Sequence, residues 1–184
     1  QGYGIIHRDI KPENILLVRK PDGNLGIKIC DFGLSIQLSV DEHKAPPLSH
    51  VIGTLFYIPP EIIHQKTYDN RWDIYSLGVL AYALFSCTPS RLKYTLPMDA
   101  DNGPMEDQDV LNKLTQLTNR AETERWVNTV ILKLEGLSVD KQVFLRGCLG
   151  YEEYRWTPSI TVDYIKKTFM KKKSRKRKER SRTC

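Results

Sequence analysis

Long apolar runs are what this 184-residue sequence has least of. The longest, Leu77 to Phe85, falls far short of the ~18 to 20 residues that span a bilayer, so it reads as a buried helix. Cysteine is nearly as sparse. Cys30, Cys87, Cys148 and Cys184 are widely scattered and form no C-x-x-C pair, which argues against a disulfide framework or a zinc site and for a reducing compartment. No secretory leader is visible, and the expectation is an intracellular protein, cytoplasmic, with a nuclear address open through the basic tail described next. Charge of one sign is missing in two places. Pro97 to Asp109 has five acids and no base, a solvated loop by composition, whereas Lys171 to Cys184 (KKKSRKRKERSRTC) has nine bases and one acid. The overall +6 therefore divides into a body of −2 and a tail of +8, unlike a basic domain whose charge spreads over a folded face. There is no internal repeat. What is present in quantity is apolar surface: 40% of the residues are hydrophobic, enough for one globular domain with a core.

The polar chemistry is concentrated in HRDIKPEN, His7 to Asn14. The apolar run Ile15-Leu16-Leu17-Val18, the turn Pro21-Asp22-Gly23-Asn24 and the alternating Ile27-Lys28-Ile29-Cys30 follow it, and Asp-Gly between two β-prone runs predicts a hairpin. With Asp22 and Gly23 at the turn centre, Asn14 falls opposite Asp31. Two oxygen-bearing side chains would then meet at the open end, either as strand-end caps or as a pair of ligands. Residues 35–60 hold Pro46, Pro47, Pro59 and Pro60 without sustained periodicity and predict a long loop, ordered or switchable. Trp72 to Ser86 is apolar on nearly all sides and predicts a central helix stopped at Thr88-Pro89. Val110, Leu114, Leu117 and Ala121 keep helical spacing, as do Val127, Val130, Ile131 and Leu134 before Gly136. Ser138 starts a helix to Leu149 that Gly150 closes, and Thr157-Pro158 opens a last one through Phe169.

Five ordered landmarks together resemble the eukaryotic protein kinases. They are His7-Arg8-Asp9-Ile10-Lys11-Pro12-Glu13-Asn14, Asp31-Phe32-Gly33, Gly53-Thr54 with Tyr57 and Pro60-Glu61, Asp73-Ile74-Tyr75-Ser76-Leu77-Gly78, and Arg155. The resemblance implies a protein-kinase-like α+β fold: a mainly helical C-lobe over 1–170 with a short β-hairpin, the N-lobe absent, and a basic, disordered tail over 171–184. Lys11-Pro12 and Thr54 resemble the serine/threonine branch. By resemblance, Asp9 would accept the proton of a substrate hydroxyl, Lys11 would neutralise the γ-phosphate of ATP, and Asn14 and Asp31 would hold Mg²⁺. Lys11, Glu13, Asn14, Leu16 and Asp31 would make the nucleotide side, with Leu16 beneath the adenine. Glu13 also resembles an acid that reads basic residues ahead of the phosphoacceptor, while Ala83 stands where strongly basophilic relatives carry a second acid. Arg8 resembles the arginine that pairs with a phosphorylated loop, with Ser49 the candidate acceptor and Ser39 its competitor. Glu61 and Arg155 would form a buried ion pair, His7 and Phe32 would be stacked core side chains, and Asp73 would anchor the catalytic loop. Pro59, Tyr75 and Trp156 replace the family's usual alanine, tryptophan and proline, and Cys30 would face the nucleotide.

The family's glycine-rich loop, strand lysine and helix glutamate precede the catalytic loop, and none is found in these residues, so a small-lobe segment is expected upstream. Most of the helix that normally packs beneath the catalytic loop is missing too, and its loss is expected to uncover four or five core side chains. The expectation is a serine/threonine kinase catalytic segment acting on protein Ser/Thr hydroxyls and inactive by itself. A truncated pseudokinase or scaffold is the alternative, and the tail is read as a localisation signal, a solvated extension, or a tether to nucleic acid or anionic membrane.

Overall fold

The computed structural model describes residues 4–39, 44–86, 107–134 and 136–170. The stop at Thr88-Pro89, the acidic stretch up to Glu106 and the basic tail lie outside them. Two small antiparallel ribbons precede a helical body. Strands β1 (Gly4–Ile6) and β4 (Ile36–Leu38) pair with each other, and β2 (Ile15–Arg19) pairs with β3 (Leu25–Ile29). Helices α1 (Pro60–Ile63), α2 (Arg71–Phe85), α3 (Asp107–Gln116), α4 (Arg120–Leu132), α5 (Val139–Leu149) and α6 (Pro158–Ile165) follow, the last running into a π-helical turn at Lys166–Met170. No helix of the described residues is long and apolar enough to cross a membrane.

The predicted central helix is α2. Ten of its residues, from Trp72 to Ala83, are buried, which matches a segment apolar on nearly every side. It packs on α5 at Gly78, where a methyl group would come within 2.7 Å of the Cys148 Cβ. Around this contact Tyr75, Val79, Val130, Phe144, Leu145 and Leu149 form the main core. A second core, of Ile6, Leu38, Ala45, Ile58, Ile62, Tyr68 and Trp72, fastens the β1–β4 ribbon and the following loop to the start of α2.

The structure corrects four expectations. The β2–β3 register pairs Ile15 with Ile29, so Asn14 faces Cys30 and not Asp31. The cause is the turn: the Gly23 N–H reaches the Lys20 carbonyl, Lys20 N–H reaches the Asn24 carbonyl, and Gly23 sits at φ 78°. That is a three-residue loop closed by a left-handed glycine, one residue longer than the Asp-Gly turn assumed. The stretch 35–60 is less irregular than predicted, because it contains β4 and a single helical turn at Leu55–Tyr57. The spacing through Ala121 is broken between α3 and α4, where Asn119 caps the Glu122 N–H and the Glu122 carboxylate reaches back to Thr118. Phe32 touches His7 edge-on at 4.8 Å but is 55% exposed, so only His7 belongs to the core.

The apolar side chains of the β2–β3 hairpin are uncovered. Leu17 is 73% exposed, and Leu25, Ile27, Ile29 and Leu16 on the same hairpin are also exposed.

Candidate active site

The loop from His7 to Asn14 is held from below by α2. Both carboxylate oxygens of Asp73 accept backbone N–H groups, His7 at 2.8 Å and Arg8 at 3.0 Å. Burial raises the Asp73 pKa, and these two N–H groups, which pull it down, do not overcome the desolvation. Arg8 takes φ 67°, a left-handed conformation that a non-glycine residue keeps only where its surroundings impose it. Its carbonyl is covered by Gly53, at which a methyl group would stand 2.7 Å from that oxygen. The His7 ring bonds the Cys30 carbonyl at 3.0 Å, tying the loop to the far strand of the hairpin.

This frame brings three of the predicted site residues into one cluster. Asp9 is 7% exposed; one carboxylate oxygen accepts the Thr54 hydroxyl at 2.7 Å, and the other meets Lys11 Nζ at 2.8 Å and the Asn14 amide nitrogen at 3.0 Å. Burial pushes the Asp9 carboxyl up, but the hydrogen bonds from Lys11, Thr54 and Asn14, with the charge of Lys11, outweigh it and hold the group below its ordinary value. Asn14 is buried, and its amide nitrogen donates a second time to the Asp9 carbonyl at 2.8 Å. Lys11 also donates to Thr54 at 2.8 Å, which uses two of its three N–H donors.

The other predicted residues stand apart from this cluster. Asp31 lies one position beyond the residue opposite Asn14, exposed, at φ 59°, with one oxygen accepting the Gly33 N–H at 3.3 Å. Leu16 is 48% exposed on the hairpin, and Glu13 is on the surface. The charge of Glu13 is felt by Tyr57, whose hydroxyl is pushed up to about 12, first by burial and then by that carboxylate. Ser49 is exposed, with its hydroxyl 3.0 Å from the His50 ring.

Two contacts of this loop are not announced by the sequence. Thr54 serves there only as a branch marker, yet its hydroxyl bonds both Asp9 and Lys11. Tyr68 was not considered, although its hydroxyl accepts from Arg8 at 2.9 Å. Both lie more than forty residues from their partners, and no local pattern announces either.

The anchor of the helical side is as expected. Arg155 and Glu61 form a two-pronged buried pair at 2.5 and 3.0 Å, and the Arg155 fork also reaches the Gly150 and Arg71 carbonyls. Burial acts to lower the Arg155 pKa, but Glu61 more than reverses it and the group is raised. The Arg155 guanidinium lies over the Tyr75 ring at 4.9 Å.

Residues 2–177 match the family described as "Protein kinase domain". Among curated proteins, Calcium-dependent protein kinase 4 of Plasmodium berghei is 39% identical over 110 residues, 60% of this chain and 18% of that protein. Serine/threonine-protein kinase DCLK2 of Homo sapiens is 39% identical over 106 residues, 58% of this chain and 12% of the relative. The Aurora kinase of Yarrowia lipolytica is 44% identical over 88 residues, 48% of the chain and 21% of the relative. The matched stretch thus spans only 12% to 21% of the length of these proteins. With residues 2–177 of its 184 matched by the family, and an aspartate, a lysine and an asparagine gathered on an HRD loop, this chain belongs to the protein kinase family.

Proposed function

We propose that this chain is the helical, substrate-side lobe of a serine/threonine protein kinase, spanning 1–170 and extended by a basic segment over 171–184. One observation carries the reading: Asp9 is buried and yet held ionised by Lys11, Thr54 and Asn14 at the bottom of an open loop. A carboxylate held below its ordinary range is a weak base near neutral pH. Its part is to accept the hydrogen bond of a substrate Ser or Thr hydroxyl and aim the oxygen. That suits a transfer whose loose transition state calls for positioning and charge stabilisation more than for proton abstraction. The third N–H of Lys11 is left for a phosphate oxygen.

The donor set fits magnesium. Both amide hydrogens of Asn14 are directed at Asp9, which turns the acceptor end of that side chain to any cation, and Asp31 offers a carboxylate with one light hydrogen bond. Among the described residues no group of three or more His, Cys, Asp or Glu side chains could hold a metal ion, so the cation would be completed by phosphate oxygens and water, as magnesium prefers. When bound, it would supply charge to neutralise the phosphates of ATP. Leu16 and Asp31 stand on the uncovered hairpin, and these 184 residues contain no G-x-G-x-x-G phosphate loop. The chain by itself is therefore expected not to turn over. The scaffold alternative draws on the same exposed hairpin, but it does not account for an intact Asp9–Lys11–Asn14 cluster.

The test is phosphate transfer from ATP and Mg²⁺ to a serine peptide, by the chain alone and by the chain fused behind the small lobe of a related kinase. The expected result is no transfer alone, and transfer by the fusion that drops about 10² to 10⁴-fold on Asp9→Asn. Fusion activity indifferent to Asp9→Asn would overturn the assignment.

A further inference from the structure

Two N–H groups of the Arg8 guanidinium donate to uncharged partners. Nε donates to the Leu34 carbonyl at 2.5 Å and Nη1 to the Tyr68 hydroxyl at 2.9 Å. Tyr68 is 4% exposed and packs its ring edge-on against Trp72 at 5.1 Å. Its backbone forms an isolated antiparallel bridge with Ala45: the Ala45 N–H reaches the Tyr68 carbonyl at 2.6 Å, and the Tyr68 N–H reaches the Ala45 carbonyl at 3.1 Å. Ala45 is itself buried, in the same core as Ile6 and Trp72. One residue thus grips the catalytic loop by its hydroxyl, the proline-containing loop by its backbone, and α2 by its ring.

We propose that Tyr68 is a positioning residue: its hydroxyl holds Arg8, and through Arg8 it sets the catalytic loop and the loop at Ala45 in one arrangement that needs no phosphate on that loop. An arginine waiting for a phosphate to order a loop presents its fork to the site the phosphate will occupy. Here two of the five N–H donors already have neutral acceptors, and the loop is already bridged at Ala45 without charge. Arg8 is further fixed from two sides, by Asp73 at its N–H and by Gly53 against its carbonyl. A phosphate on exposed Ser49 has little left to order. That the loop so set aims Asp9 at a substrate hydroxyl rests on the phosphoryl-transfer reading above, whereas the order of the loop does not, so the two can fail separately.

The experiment uses the 184-residue chain in four forms: Ser49 or phosphoserine at 49, each with Tyr68 or with Tyr68→Phe, which removes only the hydroxyl. The readouts are hydrogen exchange at the Ala45 amide and the Arg8 Nε–H resonance. The expected result is that phosphate leaves Ala45 exchange within about twofold when Tyr68 is present. Tyr68→Phe speeds that exchange about tenfold and shifts the Arg8 resonance, and only in that background does phosphate restore protection. A Tyr68 that acted by packing alone would show no change on losing its hydroxyl, and that outcome overturns the proposal. So does protection raised tenfold by phosphate in the chain that keeps Tyr68. That comparison still decides the matter if Tyr68→Phe fails to fold.

Discussion

The catalytic loop and the β2–β3 hairpin meet at Asn14, and they are stabilised in opposite ways. The loop is polar and buried. Its hydrogen bonds close on Asp73, Thr54, Tyr68 and the Cys30 carbonyl, so its geometry is determined by contacts within the described residues. The hairpin has its ladder of backbone bonds, but Leu17, Leu25, Ile27 and Ile29, which share one of its faces, are all exposed. A two-stranded ribbon of this kind is marginal in water without a surface to pack on. The comparison teaches that Asp9, Lys11 and Asn14 are set by buried polar contacts, whereas Leu16 stands on a ribbon whose side chains have no such cover.

Substitutions that break the buried side have the largest expected effects. Arg155→Ala leaves the Glu61 carboxylate buried and unpaired and should cost about 3 to 5 kcal/mol in chemical denaturation. Asp73→Ala orphans the N–H groups of His7 and Arg8 and should cost about 2 to 4 kcal/mol, with the catalytic-loop amides losing protection before the core of α2 and α5.

A smaller effect comes from pH. The Asp9 pKa is lowered on folding, so its contribution to stability is present above the ordinary aspartate value near 3.9 and is lost as pH falls through the lower folded value. Asp9→Asn should therefore flatten the acid limb of the stability curve. Asp73 has the opposite sign: its raised pKa favours the fold most at low pH, and that contribution is lost as pH rises through the folded value. The smallest effect belongs to the hairpin. Leu17→Thr and Ile27→Thr should change stability by no more than about 0.5 kcal/mol while slowing aggregation, measured by denaturation and light scattering. A loss near 2 kcal/mol would mean that the face is covered.

Legibility in the sequence divides along the same line. The resemblance carried two long-range contacts, the Glu61–Arg155 pair and the Asp73 anchor of the loop, and a local pattern carried a third, the Thr157 cap of α6 through the Ile160 N–H. The hairpin was readable as a hairpin but not in register, because one left-handed glycine adds a residue to the turn and moves every cross-strand partner by one. The pairing of Asn14 with Asp31 rested on that register and is withdrawn. The break between α3 and α4 had a visible signal, Asn119 with Glu122 three residues on. Thr54 and Tyr68 had none, since a hydroxyl finds its partner through the tertiary fold.

Amide hydrogen exchange on the 184-residue chain tests the central claim most directly. The account predicts that the His7 and Arg8 amides exchange only with global opening, at least about a hundredfold more protected than the ladder-bonded amides of Leu16 and Val18 on the hairpin. Equal protection in the two regions would contradict it.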